Sequence, residues 1–243
     1  MLEVRGLSHP GTLRDMTFSV GEGEIVGVAG LMGSGRTELA RILFGLDPYE
    51  RGQITLAGRP VPPGDPRACI DMGMAFLTED RRHEGLMMDG TVAANLGLAA
   101  LPLHARRGGR IDDGALDGRM ATMREHLHIK THDMGSTAVR TLSGGNQQKV
   151  VIGKWLLRTP RVFILDEPTR GIDVGAKQEI YRLISRLSEQ GMAVLVISSE
   201  LEELIGLCDR ILPMSRGALV GMFRRGAFGR EAIMRAAMGE AAP

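Results

Sequence analysis

Residues 27–39 read GVAGLMGSGRTEL. The phosphate-loop pattern G-x-x-x-x-G-K-[ST] fits at Gly30, Gly35 and Thr37, but Arg36 stands where the pattern has lysine. An apolar run precedes the glycines and a helix-forming run follows them, so they fall at a strand-to-helix turn. Such a turn lets backbone N–H groups converge on phosphate oxygens at the positive end of a helix. Gly30, Gly33, Ser34, Gly35, Arg36, Thr37 and Glu38 are the candidate phosphate-binding residues, and the Thr37 hydroxyl is a candidate Mg²⁺ ligand. Taken alone, the stretch is explained equally well by a glycine-rich turn without a ligand. The first lysine in the chain is Lys130, so the role of the missing lysine falls on Arg36.

Outward from this turn, short alternating or apolar runs predict strands at Leu2–Leu7, Met16–Val20, Glu24–Ala29, Gln53–Ala57 and Gly73–Thr78. Two more follow in RVFILDE and MAVLVISS. EIVGVA, VFILD and AVLVIS are nearly continuous apolar runs, as expected of parallel strands buried on both faces. Helices are predicted at Arg36–Phe44, Gly175–Glu189 and Leu201–Cys208, the first two closed by Gly45 and Gly191. Strands alternating with helices point to an α/β fold with a mainly parallel, covered sheet.

Residues 81–142 differ. They hold helical segments at Val92–Ala100 and Asp117–His128, no buried-strand run, and HARRGGRIDDG, read as a solvated loop. This region is read as a helical subdomain inserted into a single domain spanning residues 1–243. Beyond Arg210, a hairpin turning at Arg216–Gly217 and a tail helix at Arg230–Met238 are expected.

Composition narrows the function classes. With 43% hydrophobic residues the chain can bury a sizeable core. A net charge of +1 gives no bulk attraction to nucleic acid or an anionic membrane. Cys69 and Cys208 are the two cysteines, so a reducing compartment and no structural zinc are expected. The first residues lack a basic start and apolar stretch of a secretory leader, and no apolar run is long enough for a bilayer. A cytosolic location is expected, with any membrane process served from the side.

Two further motifs carry chemistry. In RVFILDEPTRGID an apolar run ends in Asp166 and Glu167. A buried strand delivering two carboxylates at its C-terminal edge suits Mg²⁺ holding by Asp166 and polarisation of a water by Glu167. General base catalysis contributes roughly 10²–10⁴-fold. In TLSGGNQQKVVIGKWL, Ser143 can cap a helix over Asn146–Leu156, and Gly144 and Gly145 leave N–H groups open to an anion.

The ordered set of phosphate loop, LSGGNQQ, ILDEPT and GID resembles that of ABC-type ATPases over essentially the whole chain. The resemblance implies a P-loop NTPase with a RecA-like core, an N-terminal antiparallel β piece and the helical insert. It also implies that two ATPase domains sandwich ATP and Mg²⁺. Each site takes its phosphate loop from one domain and Ser143, Gly144, Gly145, Gln147 and Asp173, or their equivalents, from the other. GLMGSGRTEL, TEDRRHEGL, EPTRGIDVGAKQEIY and ISSELEEL further look like the second ATPase half of ribose, galactose and xylose importers, in which two halves are fused. Implied partners are a second ATPase domain, transmembrane permease subunits contacted around Glu79–Asn95, and, through the permease, an external sugar-binding protein. The chain would then sit at the cytoplasmic face of the membrane, with no nucleic-acid partner. The alternatives are a soluble non-transport ABC ATPase and a structural half-site that does not hydrolyse.

Three positions depart from the family pattern. Arg36 replaces lysine, Glu79 stands where a glutamine senses Mg²⁺, and Glu200 stands where a histidine contacts the γ-phosphate. A carboxylate about 4 Å from a phosphate charge costs up to ~4 kcal/mol at an effective dielectric near 20. Beside that reading, Ser199 to Glu202 fits a capping box with Ser199 as the cap. No Phe, Tyr or Trp lies between Leu2 and Thr17, so weak stacking of the base is expected, with His9 the ring at hand. A variant own site that binds nucleotide but turns it over slowly is the resulting expectation, beside intact residues for a partner's site.

Overall fold

The computed structural model describes residues 1–106 and 108–239. In chain order it begins with β1 (Leu2–His9), β2 (Leu13–Val20), β3 (Ile25–Gly30), α1 (Arg36–Leu43), β4 (Arg51–Leu56), β5 (Arg59–Pro60), α2 (Pro66–Asp71) and β6 (Met74–Leu77). A π-helical turn at Arg81–Gly85 leads to α3 (Val92–Gly97), a 3₁₀ stretch at Leu98–His104 and α4 (Asp113–His126). Next come α5 (Gly144–Leu156), β7 (Val162–Asp166), α6 (Val174–Glu189), β8 (Ala193–Ser198) and α7 (Leu201–Leu207). The chain then forms β9 (Arg210–Ser215), β10 (Ala218–Leu219), β11 (Phe223–Arg224) and α8 (Arg230–Met238).

The N-terminal strands form an antiparallel sheet in the order β2-β1-β4-β5. Alternation in β2 places Met16, Phe18 and Val20 on the buried face, and an irregularity at Asp15, at φ 46, lets Leu13 be buried as well. The larger sheet runs β10-β9-β3-β8-β7-β6, with β11 also on β9. Pairings β9–β3, β3–β8 and β8–β7 are parallel. The apolar runs of β7 and β8 are buried at every position, as strands covered on both faces must be. Gly27 lets β3 pass close to the chain behind it, since a Cβ there would lie 2.7 Å from Cys208 Sγ. The expected hairpin forms between β9 and β10, with Arg216 and Gly217 at φ 47 and 81.

Contacts divide the chain into two units. One comprises residues 1–76, 161–168 and those from 184 onward; the other comprises 77–160 and 169–183. The second unit therefore extends past the expected 81–142. It takes in α5 because Gly153 lets neighbours close in: a Cβ there would lie 2.7 Å from Leu96 and 2.8 Å from Leu127. Within this unit α4 starts four residues before the expected Asp117, where Asp112 caps its N-terminus. The helix from Val92 stops at Gly97 and tightens to 3₁₀, with Pro102 inside the tightened stretch. In the loop predicted to be solvated, Ala105 and Ile111 form a bridge; Arg107 lies outside the described residues. Helix α2 was not anticipated, although Asp65 and Pro66 form a cap and a first-turn proline.

Candidate functional site

The first unit brings the phosphate loop to the ends of β7 and β8. Strand β3 ends at Gly30, where a Cβ would lie 2.5 Å from Ser34 Oγ and 2.7 Å from the Met214 carbonyl. Gly35 caps α1 at φ 100, with no side chain bonded to the helix start. A Cβ on Gly35 would lie 2.9 Å from the Thr12 carbonyl, so the turn after β1 rests against the loop. Ser34 Oγ is buried without a hydrogen-bond partner. Gly33 is also left-handed, and Glu38 is exposed in the first turn of α1. His9, the ring expected near the base, buries Nδ1 with no partner.

Asp166 ends β7 almost fully buried. Neither of its carboxylate oxygens has a hydrogen-bond partner of ordinary geometry, although the Thr37 hydroxyl lies near enough to offset part of the burial. Burial pushes the Asp166 carboxyl up to about 7; Glu167 and Glu38 add to this, while Thr37 and Arg36 oppose it. Buried oxygens of this kind, next to a hydroxyl and an open helix start, fit a hard cation carrying phosphate oxygens. Among the described residues no group of three or more His, Cys, Asp or Glu is placed to hold a metal ion.

Glu167 turns out of the strand at φ 49, an uncommon conformation for a residue with a side chain. Its amide donates to the Ile197 carbonyl at 2.8 Å. Its carboxylate accepts from the Ser199 amide at 2.8 Å and from Ser199 Oγ at 3.1 Å. Arg36 adds an ion pair at 3.6 Å and donates its other amino group to the Ser198 carbonyl at 2.5 Å. The candidate base and the phosphate-loop cation are thus engaged with each other.

This geometry corrects the reading of Ser199 as a helix cap. Glu200 is the N-cap residue of α7, without a side-chain cap bond, and its amide donates to Ser198 Oγ at 3.0 Å. Ser199 instead spends its donors on Glu167, because an anionic acceptor outcompetes a neutral one. Ser198 Oγ donates in turn to the buried Glu203 carboxylate. The exposed Glu200 thus stands one residue beyond the contact with Glu167. Sequence reasoning gave Ser199 the wrong role and missed the Ser198 carbonyl, since a backbone carbonyl and a common small residue leave no pattern.

The second unit gathers the other motif residues. Ser143 caps α5, accepting from the Asn146 amide at 3.4 Å and its side chain at 2.9 Å. Gly144 begins the helix, and Gly145 faces Ala176, whose Cβ would lie 2.5 Å from an added Cβ. Gln147 is buried, donating to the carbonyls of Leu142 at 3.1 Å and Val139 at 3.3 Å. Asp173 accepts from the Ala176 amide at 2.9 Å. Glu79, read as a Mg²⁺-sensing residue, is ion-paired with Arg170.

Residues 13–170 match the family model described as ABC transporter. The chain is 50% identical over 221 residues to a ribose import ATP-binding protein RbsA 1 of Rubrobacter xylanophilus, covering 91% of this chain and 44% of that protein. It is 47% identical over 239 residues to a putative ribose/galactose/methyl galactoside import ATP-binding protein of Pseudomonas fluorescens, covering 98% and 46%. The chain thus spans under half the length of these relatives. A nucleotide-free ATP-binding cassette from an ABC transporter superposes with a TM-score of 0.79 at 19% identity, over 99% of this chain and 95% of that one. A cassette solved as a dimer in a post-hydrolysis state with ADP and Pi gives 0.78 at 20% identity, over 94% and 100%. Both solved structures share the fold of this chain.

Proposed function

The chain belongs to the ABC transporter family, and from that membership we propose that it is an ATP-binding, ATP-hydrolysing domain of a carbohydrate importer. Asp166 is the observation that carries the nucleotide reading. A buried carboxylate whose oxygens lack partners of ordinary geometry is costly unless it holds a proton or a cation completes it. The import role in the names of the ribose-type relatives supports the sugar reading.

Residues 30–38 bind the phosphates through backbone N–H groups, the Ser34 hydroxyl and Arg36. Thr37 and Asp166 would hold Mg²⁺, which would supply charge neutralisation at the phosphates. Glu167 is placed to orient a water and accept its proton. Its oxygens are occupied by Ser199 and Arg36, so turnover at this site is slow. Ser143, Gly144, Gly145, Gln147 and Asp173 complete the site of a second ATPase domain. Glu79 serves that edge through its pair with Arg170.

Among the described residues no helix is long and apolar enough to cross a membrane. The domain works at the cytoplasmic face, docked on permease subunits that receive sugar from an external binding protein. Two substitutions in the assembled importer test this reading. Ser143→Arg abolishes turnover at the partner's site, whereas Glu167→Gln leaves total ATPase activity nearly unchanged. Loss of most activity in Glu167→Gln with a mild Ser143→Arg reverses the assignment of roles.

A further inference from the structure

Arg81, in the stretch TEDRRHEGL, has no role assigned above, yet its guanidinium joins two other motifs. Nη1 donates to the Arg170 carbonyl at 2.7 Å and Nη2 to the Gly171 carbonyl at 3.1 Å. Nε reaches Gln147 Oε1 at 3.5 Å. One planar fork thus holds the loop that leads to Asp173 and the helix that carries the signature residues.

The glycines around it are shaped to this contact. Gly171 is left-handed at φ 68, and a Cβ on it would lie 3.6 Å from the Arg81 fork. A Cβ on Gly144 would lie 2.9 Å from the Gly171 carbonyl and 3.1 Å from Arg81 Nη2. Gly144 therefore makes room for the Arg81–Gly171 pair as well as exposing its own N–H. The segment that bears Arg81 is itself fastened. Asp80 accepts from the Arg82 and His83 amides, Glu79 pairs with Arg170, and Lys154 of α5 donates to the Gly85 carbonyl at 2.7 Å.

We propose that Arg81 is a positioning residue that holds the signature turn at Ser143–Gly145 and the loop at residues 170–173 in one fixed register. The proposal rests on the reading that this edge completes a partner's site. A preorganised edge stabilises the reacting complex more than the bound ground state, because donors held in place need no reorganisation. Arg81 acts through Gly171 and Gln147 and does not itself reach nucleotide.

The test uses the assembled importer with an intact second ATPase domain, with steady-state Mg-ATP hydrolysis as the readout. Arg81→Ala lowers kcat at least tenfold while KM for ATP stays within twofold. Arg81→Lys, which keeps the charge but not the fork, recovers only part of the rate. Hydrogen exchange rises together at residues 143–146 and 170–173 in both variants. A kcat within twofold of wild type in Arg81→Ala, or a change confined to KM, overturns the proposal. Should Arg81→Ala not fold, an Arg81→Lys variant of wild-type melting temperature and full kcat overturns it equally. Ser143→Arg separates the two readings: if it abolishes turnover while Arg81→Ala does not, only the role of Arg81 fails. If neither variant affects turnover, the reading of a shared site fails.

Discussion

Arg36 bridges the end of β8 to Glu167: one amino group donates to the Ser198 carbonyl at 2.5 Å, and the other lies 3.6 Å from Glu167 Oε1. A guanidinium can serve both partners because it is planar and forked; an ammonium is a single compact point of charge. Both side chains of the ion pair are only 11% and 12% exposed, so water screens the pair weakly. On the proposed function, a phosphate arriving at the loop must compete with this bridge for the cation.

Arg36→Lys removes that competition. Mg-ATP affinity of the chain is expected to tighten about tenfold, equivalent to ~1.4 kcal/mol. Quenching of Trp155, the single tryptophan, or calorimetry measures it. Equal or weaker binding by the variant rejects the bridge as a competitor.

Asp166→Asn separates cation binding from folding. The Asp166 carboxyl, raised to about 7 by burial, holds its proton in the fold at pH values where an unfolded chain, with the ordinary value of 3.8, has lost it. Between roughly pH 4 and 7 the folded state thus binds more protons, and its stability falls as pH rises. In Mg²⁺-free buffer at pH 8 the asparagine variant is expected to be more stable by about 1–3 kcal/mol, with no difference near pH 4. It should lose the stabilisation that Mg-ATP gives wild type. Chemical denaturation with and without Mg-ATP reads both, and a destabilised variant at pH 8 without Mg²⁺ counts against the account of Asp166.

Lys154 behaves with the opposite sign. Burial lowers its ammonium to about 8, from an ordinary 10.5. The unfolded state therefore binds more protons between those values, and stability rises with pH across that window. Lys154→Met should flatten the rise between pH 8 and 10. A slope that persists in the variant assigns the titration to another group.

Gly217→Ala tests the support behind the phosphate loop. Gly217 sits at φ 81, and a Cβ would lie 2.2 Å from the Thr12 carbonyl. The same carbonyl lies against Gly35. The variant is expected to lose about 1–3 kcal/mol of stability and to bind Mg-ATP more weakly where it remains folded. Unchanged affinity in a destabilised protein uncouples the hairpin from the loop.

Most strands were legible because burial on one face or both writes itself into the residue pattern. β3, β7 and β8 follow from apolar runs, and β2 from alternation. Helix α2 was missed because six residues give too short a period, although Asp65 and Pro66 announced it. The true start of α4 was missed because Asp112 and Asp113 both resemble caps and little of the first turn is buried.

The sequence by itself determined which groups are chemically able to act: the glycines and Thr37 of the phosphate loop, the paired Asp166 and Glu167, and the capped helix at Ser143. These depend on residue type and short spacing, which local sequence carries in full. Tertiary structure alone decided what those groups do with one another. It turned Ser199 from a helix cap into a donor to Glu167, tied Arg36 to the same carboxylate, and drew Arg81 onto two carbonyls 89 and 90 residues away. The reason is physical: a carboxylate and a guanidinium recruit whatever the fold brings within about 3 Å, and that neighbourhood exists only after distant strands and loops have packed.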